Sequence, residues 1–271
     1  MSDWLGIKGQ VAVVTGAGGG IGRQIAVELA AAGCRVAAVD MQEKNVAQTV
    51  SDVQAAGGEA TAIACNIADP DSVRAACSRC ESIYGTCSIL VNNAAILRPG
   101  AMANLALKDW NDLINVNLTG YFICSQIFGE AMMKQHLGSI VHVASLAGLF
   151  PQGFSGAYSV SKAGVIMMSK NLATEWGEFG IRSNVVSPAM VQTPLTEVIY
   201  ADPAVKAQRE KVVPMRRIGR PRDIANAVVF LSSERASYIS GQDITVDGGW
   251  SANMLGMVPR PGYDKAAAEK V

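Results

Sequence analysis

Short apolar runs alternate along this chain with longer segments whose apolar positions recur at helical spacing. Strands are predicted at residues 11–14, 35–39, 60–65, 89–91, 139–144, 182–187 and 243–246. Helices are predicted between them at 21–32, 45–56, 70–84, 108–135, 157–179 and 221–231. Local chemistry agrees with these boundaries. Gly57-Gly58 closes the second helix, and Asp69 followed by Pro70 is a cap with a first-turn proline. The helix over 108–135 is interrupted at Asn115-Val116-Asn117 and at Gly120, and Pro188 stops the sixth strand. Residues 193–213, with Pro194 and Pro203 inside and Pro214 just beyond, read as an inserted pair of short helices. Strands alternating with helices and no linker predict a single α/β domain, a doubly wound parallel sheet of about seven strands covered on both faces. It spans residues 1–250, including a substrate loop at about 190–216. In the remainder, 251–271, Pro259-Arg260-Pro261-Gly262 continues neither a helix nor a central strand. That tail is either disordered or an arm packed on another subunit.

Composition narrows the function classes. The 271 residues are enough for a sizeable core, and although 49% are hydrophobic no uninterrupted run is long enough to span a bilayer. Met1-Ser2-Asp3-Trp4 lacks the basic start and apolar core of a secretory signal. Lys plus Arg and Asp plus Glu are 23 each, so no global field attracts nucleic acid or an anionic membrane. A cytoplasmic protein with reduced thiols is expected. Of the six cysteines, Cys77 and Cys80 form the one pair at redox or metal spacing. They lie in a predicted helix, and neither His136 nor His142 is near them in sequence, so buried thiols are expected and no metal site.

Candidate chemistry begins at Thr15-Gly16-Ala17-Gly18-Gly19-Gly20-Ile21-Gly22, between the first strand and first helix. Glycines there let the backbone turn tightly and approach a diphosphate, and the helix behind supplies unpaired N–H groups. Glycine clusters more often mark ordinary loops. The second strand answers that objection by delivering Asp40, an acidic residue about 20 positions on, where a carboxylate bonds the adenosine ribose hydroxyls. This is the pattern of a dinucleotide site in a Rossmann-type sheet. Four polar residues fall at strand ends or on adjacent helices: Asn117, Ser145, Tyr158 and Lys162. Tyr158 and Lys162, four apart, share one helix face.

With these residues in place, the chain resembles the short-chain dehydrogenase/reductase family over about residues 6–250. The family's glycine motif falls on Thr15, Gly16, Gly20 and Gly22, and its Asn-Asn-Ala-Gly motif on Asn92 to Ala95, with alanine last. Its Pro-Gly motif appears as Pro188-Ala189, followed by Thr193. The run from Ile239 through Asp247-Gly248-Gly249 matches its C-terminal signature. The resemblance implies catalytic Asn117, Ser145, Tyr158 and Lys162, with Asn117 either holding a water that links Lys162 to solvent, kinking its helix, or both. It implies cofactor contacts at Gly16, Gly20, Ile21, Gly22, Asp40, Asn66, Ile67, Asn93, Tyr158, Lys162, Pro188, Val191 and Thr193. A free tyrosine titrates near about 10, so Tyr158 needs opposite charge from Lys162 and the nicotinamide to act as a base. Ser145 would bond the substrate oxygen. Asp40 repels a 2′-phosphate, so NAD is expected over NADP.

The substrate pocket is expected to comprise Ser145, Gln152, Phe154, Tyr158, Met190 and Leu195, with Leu146, Phe150 and Val198 as further walls. An apolar lining with one available amide suits a small polyol, sugar or cyclic alcohol. An NADPH-dependent carbonyl or 3-oxoacyl-thioester reductase is the alternative within enzymes. A non-catalytic NAD-binding sensor is the alternative of another class, and a complete Asn117, Ser145, Tyr158 and Lys162 set argues against it. The resemblance also implies a homotetramer, pairing the helices at 108–135 and 157–179 across one axis and the helix at 221–231 with the last strand across another.

Overall fold

A computed structural model describes residues 3–253 and 255–258. Seven strands form one parallel sheet in the order β3-β2-β1-β4-β5-β6-β7. They are β1 (Val11–Thr15), β2 (Arg35–Asp40), β3 (Glu59–Ala64), β4 (Ile89–Asn92), β5 (Gly138–Val143), β6 (Ile181–Pro188) and β7 (Asp243–Val246). The chain winds outward from β1 to β3 and then returns to lay β4 on the other side of β1. That reversal opens a crevice beyond the carboxyl ends of β1 and β4, where ligands bind in such sheets. Every residue of β1, β4 and β5 is buried, because helices cover both faces.

Alternate strand residues feed two cores. Ala12 and Val14 of β1 pack with Ile25 and Leu29 of α1 (Gly20–Ala31), Val46 and Val53 of α2 (Glu43–Ala55), and Ile224 and Val228 of α9 (Pro221–Ser232). Val11 and Val13 face Val73 and Cys80 of α3 (Pro70–Tyr84) and Phe128 and Met132 of α5 (Gly120–Gln135). Val165 of α6 (Tyr158–Trp176) completes that side. All six cysteines are free and buried. Asp69 caps α3 by accepting the Asp71 N–H at 3.0 Å.

Three expectations need correction in detail. The long helix expected over 108–135 is α4 (Leu107–Ile114), a π-helical segment at Asn115–Thr119, and α5. Gly120 does not break it; a Cβ there would sit 2.8 Å from Ile67 Cδ1, so glycine admits the loop after β3. The helix expected to reach residue 179 stops at Trp176 and closes with a 3₁₀ turn, Gly177–Phe179, before left-handed Gly180. Pro188 does not stop β6 but ends it as a paired residue opposite Val246. The inserted segment forms α7 (Glu197–Tyr200) and α8 (Pro203–Val212), the latter capped by Asp202. Of the tail, Ser251–Asn253 and Leu255–Met257 each make one 3₁₀ turn, while residues 254 and 259–271 lie outside the described residues. No helix among the described residues is long and apolar enough to cross a membrane.

Candidate active site

The crevice holds a cavity of about 480 Å³ bordered by the glycine-rich turn on one side and Ser145, Tyr158 and Lys162 on the other. Its two sides are stitched at the sheet. Thr15 Oγ1 donates to the Val91 carbonyl at 3.3 Å and accepts the N–H groups of Asn93 and Ala94 at 3.0 and 3.2 Å. Asn93 Nδ2 donates to the carbonyls of Thr15 and Gly16 at 3.0 and 3.2 Å. Asn93 therefore borders the cavity, but its amide nitrogen is committed to the turn rather than to a ribose.

The glycines divide by role. Gly16 has φ +65°, and a Cβ on it would lie 2.6 Å from Ala94 Cα; one on Gly22 would collide with the Gly16 carbonyl. One on Gly18 would approach Asp40 Oδ2 at 2.8 Å. Gly19 has nothing within 4 Å of that position and opens onto the cavity. It precedes α1 without any side-chain cap, so the first-turn N–H groups remain available to an anionic group. Asp40 ends β2 with Oδ2 accepting the Gly18 N–H and Oδ1 the Gln42 N–H, both at 3.1 Å. Open space at Gly19, a bare helix start and a carboxylate beside them fit a diphosphate linked to a ribose, as a nicotinamide cofactor presents.

Arg23 and Thr49 brace this turn from behind, and neither is among the sequence-derived site residues. Arg23 donates to the Gly18 carbonyl at 2.8 Å and to Thr49 Oγ1 at 3.2 Å, while Thr49 donates to the Ala17 carbonyl at 2.7 Å. Met41, directly after Asp40, also borders the cavity. At the far end Asn66 and Ile67 line it, with Asn66 Oδ1 accepting the Ala68 N–H at 3.1 Å.

Ser145 lies just past β5, where its Oγ accepts the Ala147 N–H at 3.1 Å. Tyr158 opens α6 and Lys162 follows one turn later. Lys162 is buried, its Nζ donating to the Val143 carbonyl at 2.9 Å and to Tyr121 Oη at 3.3 Å, and lying 5.8 Å from the Tyr158 ring centre. Burial raises the Tyr158 pKa, offset in part by the Ser145 hydroxyl, and pulls Lys162 down to about 7. In both cases taking the group out of water disfavours its charged form.

Asn117 sits where the helix is interrupted, as the kink reading expected. It is buried in the π-helical segment, outside the cavity lining, with Oδ1 accepting the Ile96 N–H at 2.9 Å and Nδ2 donating to the Ile96 carbonyl at 3.0 Å. Its side chain fixes the loop that carries Ile96 and Leu97 into the cavity. Tyr121 is the buried partner that sequence reasoning missed; the signal available was a tyrosine in an apolar helix, whose hydroxyl requires a partner.

The residues expected on the substrate side divide between the cavity and its surroundings. Pro188, Val191, Thr193 and Leu195 line the cavity, as do Ala95 and Ala189, the two departures from the family's glycines. Gln152, Phe154 and Met190 do not. Phe154 is 78% exposed with φ +60°, and its carbonyl accepts the Gly100 N–H at 3.0 Å. That contact and the bridge between Gly100 and Ser155 tie the segment to the loop after β4. Gln152 is exposed, and the Met190 carbonyl accepts the Gly219 N–H at 2.9 Å. Leu146, Phe150 and Val198 are likewise absent from the lining.

A family model described as Enoyl-(Acyl carrier protein) reductase matches residues 16–251. D-threitol dehydrogenase of Mycolicibacterium smegmatis is 38% identical over 245 residues, 90% of this chain and 94% of that protein. The 3-oxoacyl-[acyl-carrier-protein] reductase of Escherichia coli is also 38% identical, over 90% of this chain and 98% of its own. Among solved structures, an Agrobacterium tumefaciens protein assigned as a 2-deoxy-d-gluconate 3-dehydrogenase, with bound NADP, superposes at a TM-score of 0.84. It is 35% identical, covering 92% of this chain and 98% of that one.

Proposed function

The chain belongs to the short-chain dehydrogenase/reductase family, and on that premise we propose that it oxidises small secondary alcohols, cyclic ones ahead of polyols, with NAD preferred and Tyr158 as base. It is an oxidoreductase acting between hydroxyl and carbonyl groups with a nicotinamide cofactor. The observation that carries the finer reading is the convergence of Ser145, Tyr158 and Lys162 on the cavity that Gly19 and Asp40 border.

The nicotinamide ring supplies the hydride acceptor when bound. Gly19, Gly20 and Ile21 at the start of α1 are suited to its diphosphate, and Gly16 and Gly22 keep their backbone in that shape. Asp40 is suited to the ribose hydroxyls and repels a 2′-phosphate. Asn66, Ile67, Pro188, Val191 and Thr193 enclose the remainder. Tyr158 takes the proton of the substrate hydroxyl, Ser145 holds the substrate oxygen, and the Lys162 ammonium stabilises the tyrosinate. Since burial raises the Tyr158 pKa, the oxidation strengthens as pH rises. Asn117 contributes by fixing the Ile96 loop.

Substrate preference follows from the lining. Ile96, Leu97 and Leu195 give the same cavity an apolar share of its lining, and Gln152 is outside it. A ring carbon buries against that apolar share, whereas additional hydroxyls of a polyol lose water without gaining partners. The decisive assay is NADH formation over cyclic alcohols and polyols, repeated with NADP and with Tyr158→Phe. A cyclic alcohol turned over with NAD, and about 10²–10⁴-fold more slowly by Tyr158→Phe, is expected. Turnover undiminished in Tyr158→Phe would reject the base assignment. A second reading, reduction of 3-oxoacyl thioesters with NADPH, is favoured by the 38% identical Escherichia coli relative. NADPH consumption with such a thioester, exceeding NAD-linked oxidation, would establish it.

Phe122 on α5 and Val160 and Met167 on α6 are exposed apolar residues, 47%, 47% and 57%, consistent with a homotetramer paired through these helices. Sedimentation giving a single monomer mass would exclude that assembly. With residues 1–250 as the domain and 251–271 as a tail packing on a neighbouring subunit, truncation after residue 250 is expected to change kinetics or assembly mass; unchanged kinetics and mass would exclude that packing. The balanced charge and six thiols accord with a cytoplasmic setting, which fractionation would test.

A further inference from the structure

Among the described residues Lys162 is the only lysine, arginine, aspartate or glutamate so completely buried, at 1% exposure, and it forms no ion pair. The titratable groups facing it are Tyr158 on its own helix, Tyr121 from α5 and His142 from β5. Its surroundings are therefore neutral acceptors and rings, arranged in a closed set. Tyr121 is 0% exposed; its Oη donates to the Val143 carbonyl at 3.2 Å and accepts from Lys162 Nζ at 3.3 Å. The same Val143 carbonyl accepts from Nζ at 2.9 Å, so hydroxyl, ammonium and carbonyl form a triangle. Nζ lies 4.9 Å from the Tyr121 ring centre, within cation–π range.

Tyr121 is itself clamped. Its ring stacks on His142 at 6.1 Å and 23°. The Asn92 amide lies 3.2 Å from His142 Nδ1, and His142 Nε2 lies 3.2 Å from Ser183 Oγ. Ser183 Oγ is in turn 2.8 Å from Ser169 Oγ on α6. Burial keeps Tyr121 a phenol and pushes His142 down to about 3, so this wall carries no charge. It is a fixed neutral support behind Lys162.

We propose that Tyr121 is a positioning residue for the proton-transfer pair: its hydroxyl, pinned to the Val143 carbonyl, holds the Lys162 ammonium against the Tyr158 side of the cavity and favours its charged state. This rests on Tyr158 being the base and Lys162 its charged neighbour. Burial alone draws Lys162 to about 7, so each acceptor that favours the ammonium changes how much charge Tyr158 meets at neutral pH. Removing the Tyr121 hydroxyl leaves Lys162 one acceptor, the Val143 carbonyl, and leaves the ring stack on His142 intact.

The test is Tyr121→Phe, read first without turnover. Ultraviolet titration of the Tyr158 phenolate, isolated as the difference from the same protein carrying Tyr158→Phe, is expected to move up by about one unit. The acid limb of kcat/KM for alcohol oxidation is expected to move with it. Rates on that limb then fall about tenfold and recover at high pH. An unmoved or lowered Tyr158 titration would overturn the proposal, as would a rate loss equal at every pH. Failure of Tyr121→Phe to fold would also overturn it, since the hydroxyl would then serve the core rather than the lysine. Full activity in Tyr158→Phe alone would sink the base assignment, and the phenolate titration would still decide whether Tyr121 governs Tyr158.

Discussion

The two sides of the crevice are built on different principles. Beside β1 and β2 the site is main chain: glycines without side chains, a bare helix start, and one carboxylate held by the Gly18 and Gln42 N–H groups. Beside β5 and α6 it is side chain: Ser145, Tyr158 and Lys162, backed by the buried Tyr121 and His142. The first side works through the absence of atoms and tolerates no additions where the turn closes on itself. The second works through groups removed from water, so its behaviour depends on pH. Thr15 and Asn93 join the two at the β1–β4 seam.

The largest effect expected on the main-chain side is that of Gly22→Ala, whose Cβ meets the Gly16 carbonyl. Overpacking of about 1–3 kcal/mol should lower the melting temperature by several degrees and abolish tight cofactor binding. Gly19→Ala, with open space around it, should melt like the parent and weaken only the cofactor. That contrast fails if the two variants melt alike. Next in size is Asp40→Asn, which removes the charge that repels a 2′-phosphate; the ratio of kcat/KM for NAD over NADP should fall about tenfold or more, as loss of a charged hydrogen bond of about 1.5–3 kcal/mol implies. An unchanged ratio would place cofactor choice elsewhere.

The side-chain wall gives a pH signature. His142 is pushed down to about 3 in the fold, below the unfolded value of about 6.5. The unfolded chain therefore binds the proton first, and stability falls as pH drops through that interval. Melting temperature against pH should be steeper over this range for the parent than for His142→Gln; equal slopes would mean that carboxylates dominate the loss. The smallest effect is expected for Gln152→Ala. The exposed amide lies outside the cavity, so kcat/KM should stay within about twofold.

What could be read from the chain follows the same division. Strands and helices were legible because their apolar spacing is local, as were Asp40 and the Tyr158–Lys162 pair, fixed by positions along one strand or one helix. The glycine turn could be located but not apportioned, since only the fold shows that Gly22 faces the Gly16 carbonyl while Gly19 faces open space. The placement of Gln152 and Phe154 depends on Gly100, which holds their segment and is remote in sequence. Asn117 and Tyr121 follow the same logic: their partners, Ile96 and Lys162, come from other elements. Residues whose role is set by their own element can be read early; those set by a distant partner cannot.

The six cysteines have a consequence for how the fold can be watched. Burial raises the thiol of Cys34 and of Cys77 to about 12 and that of Cys80 to about 11, so the reactive thiolate is scarce where a reagent would also have to reach it. In the native state these sulfurs are chemically silent. Alkylation then proceeds only through openings of the structure, and its slow phase becomes a clock for how often each core comes apart. Cys34 reports the core beneath α1 and α9, and Cys77, Cys80 and Cys124 report the one beneath α3, α5 and α6. The molecule thus carries its own labels for whether its two cores open together or separately.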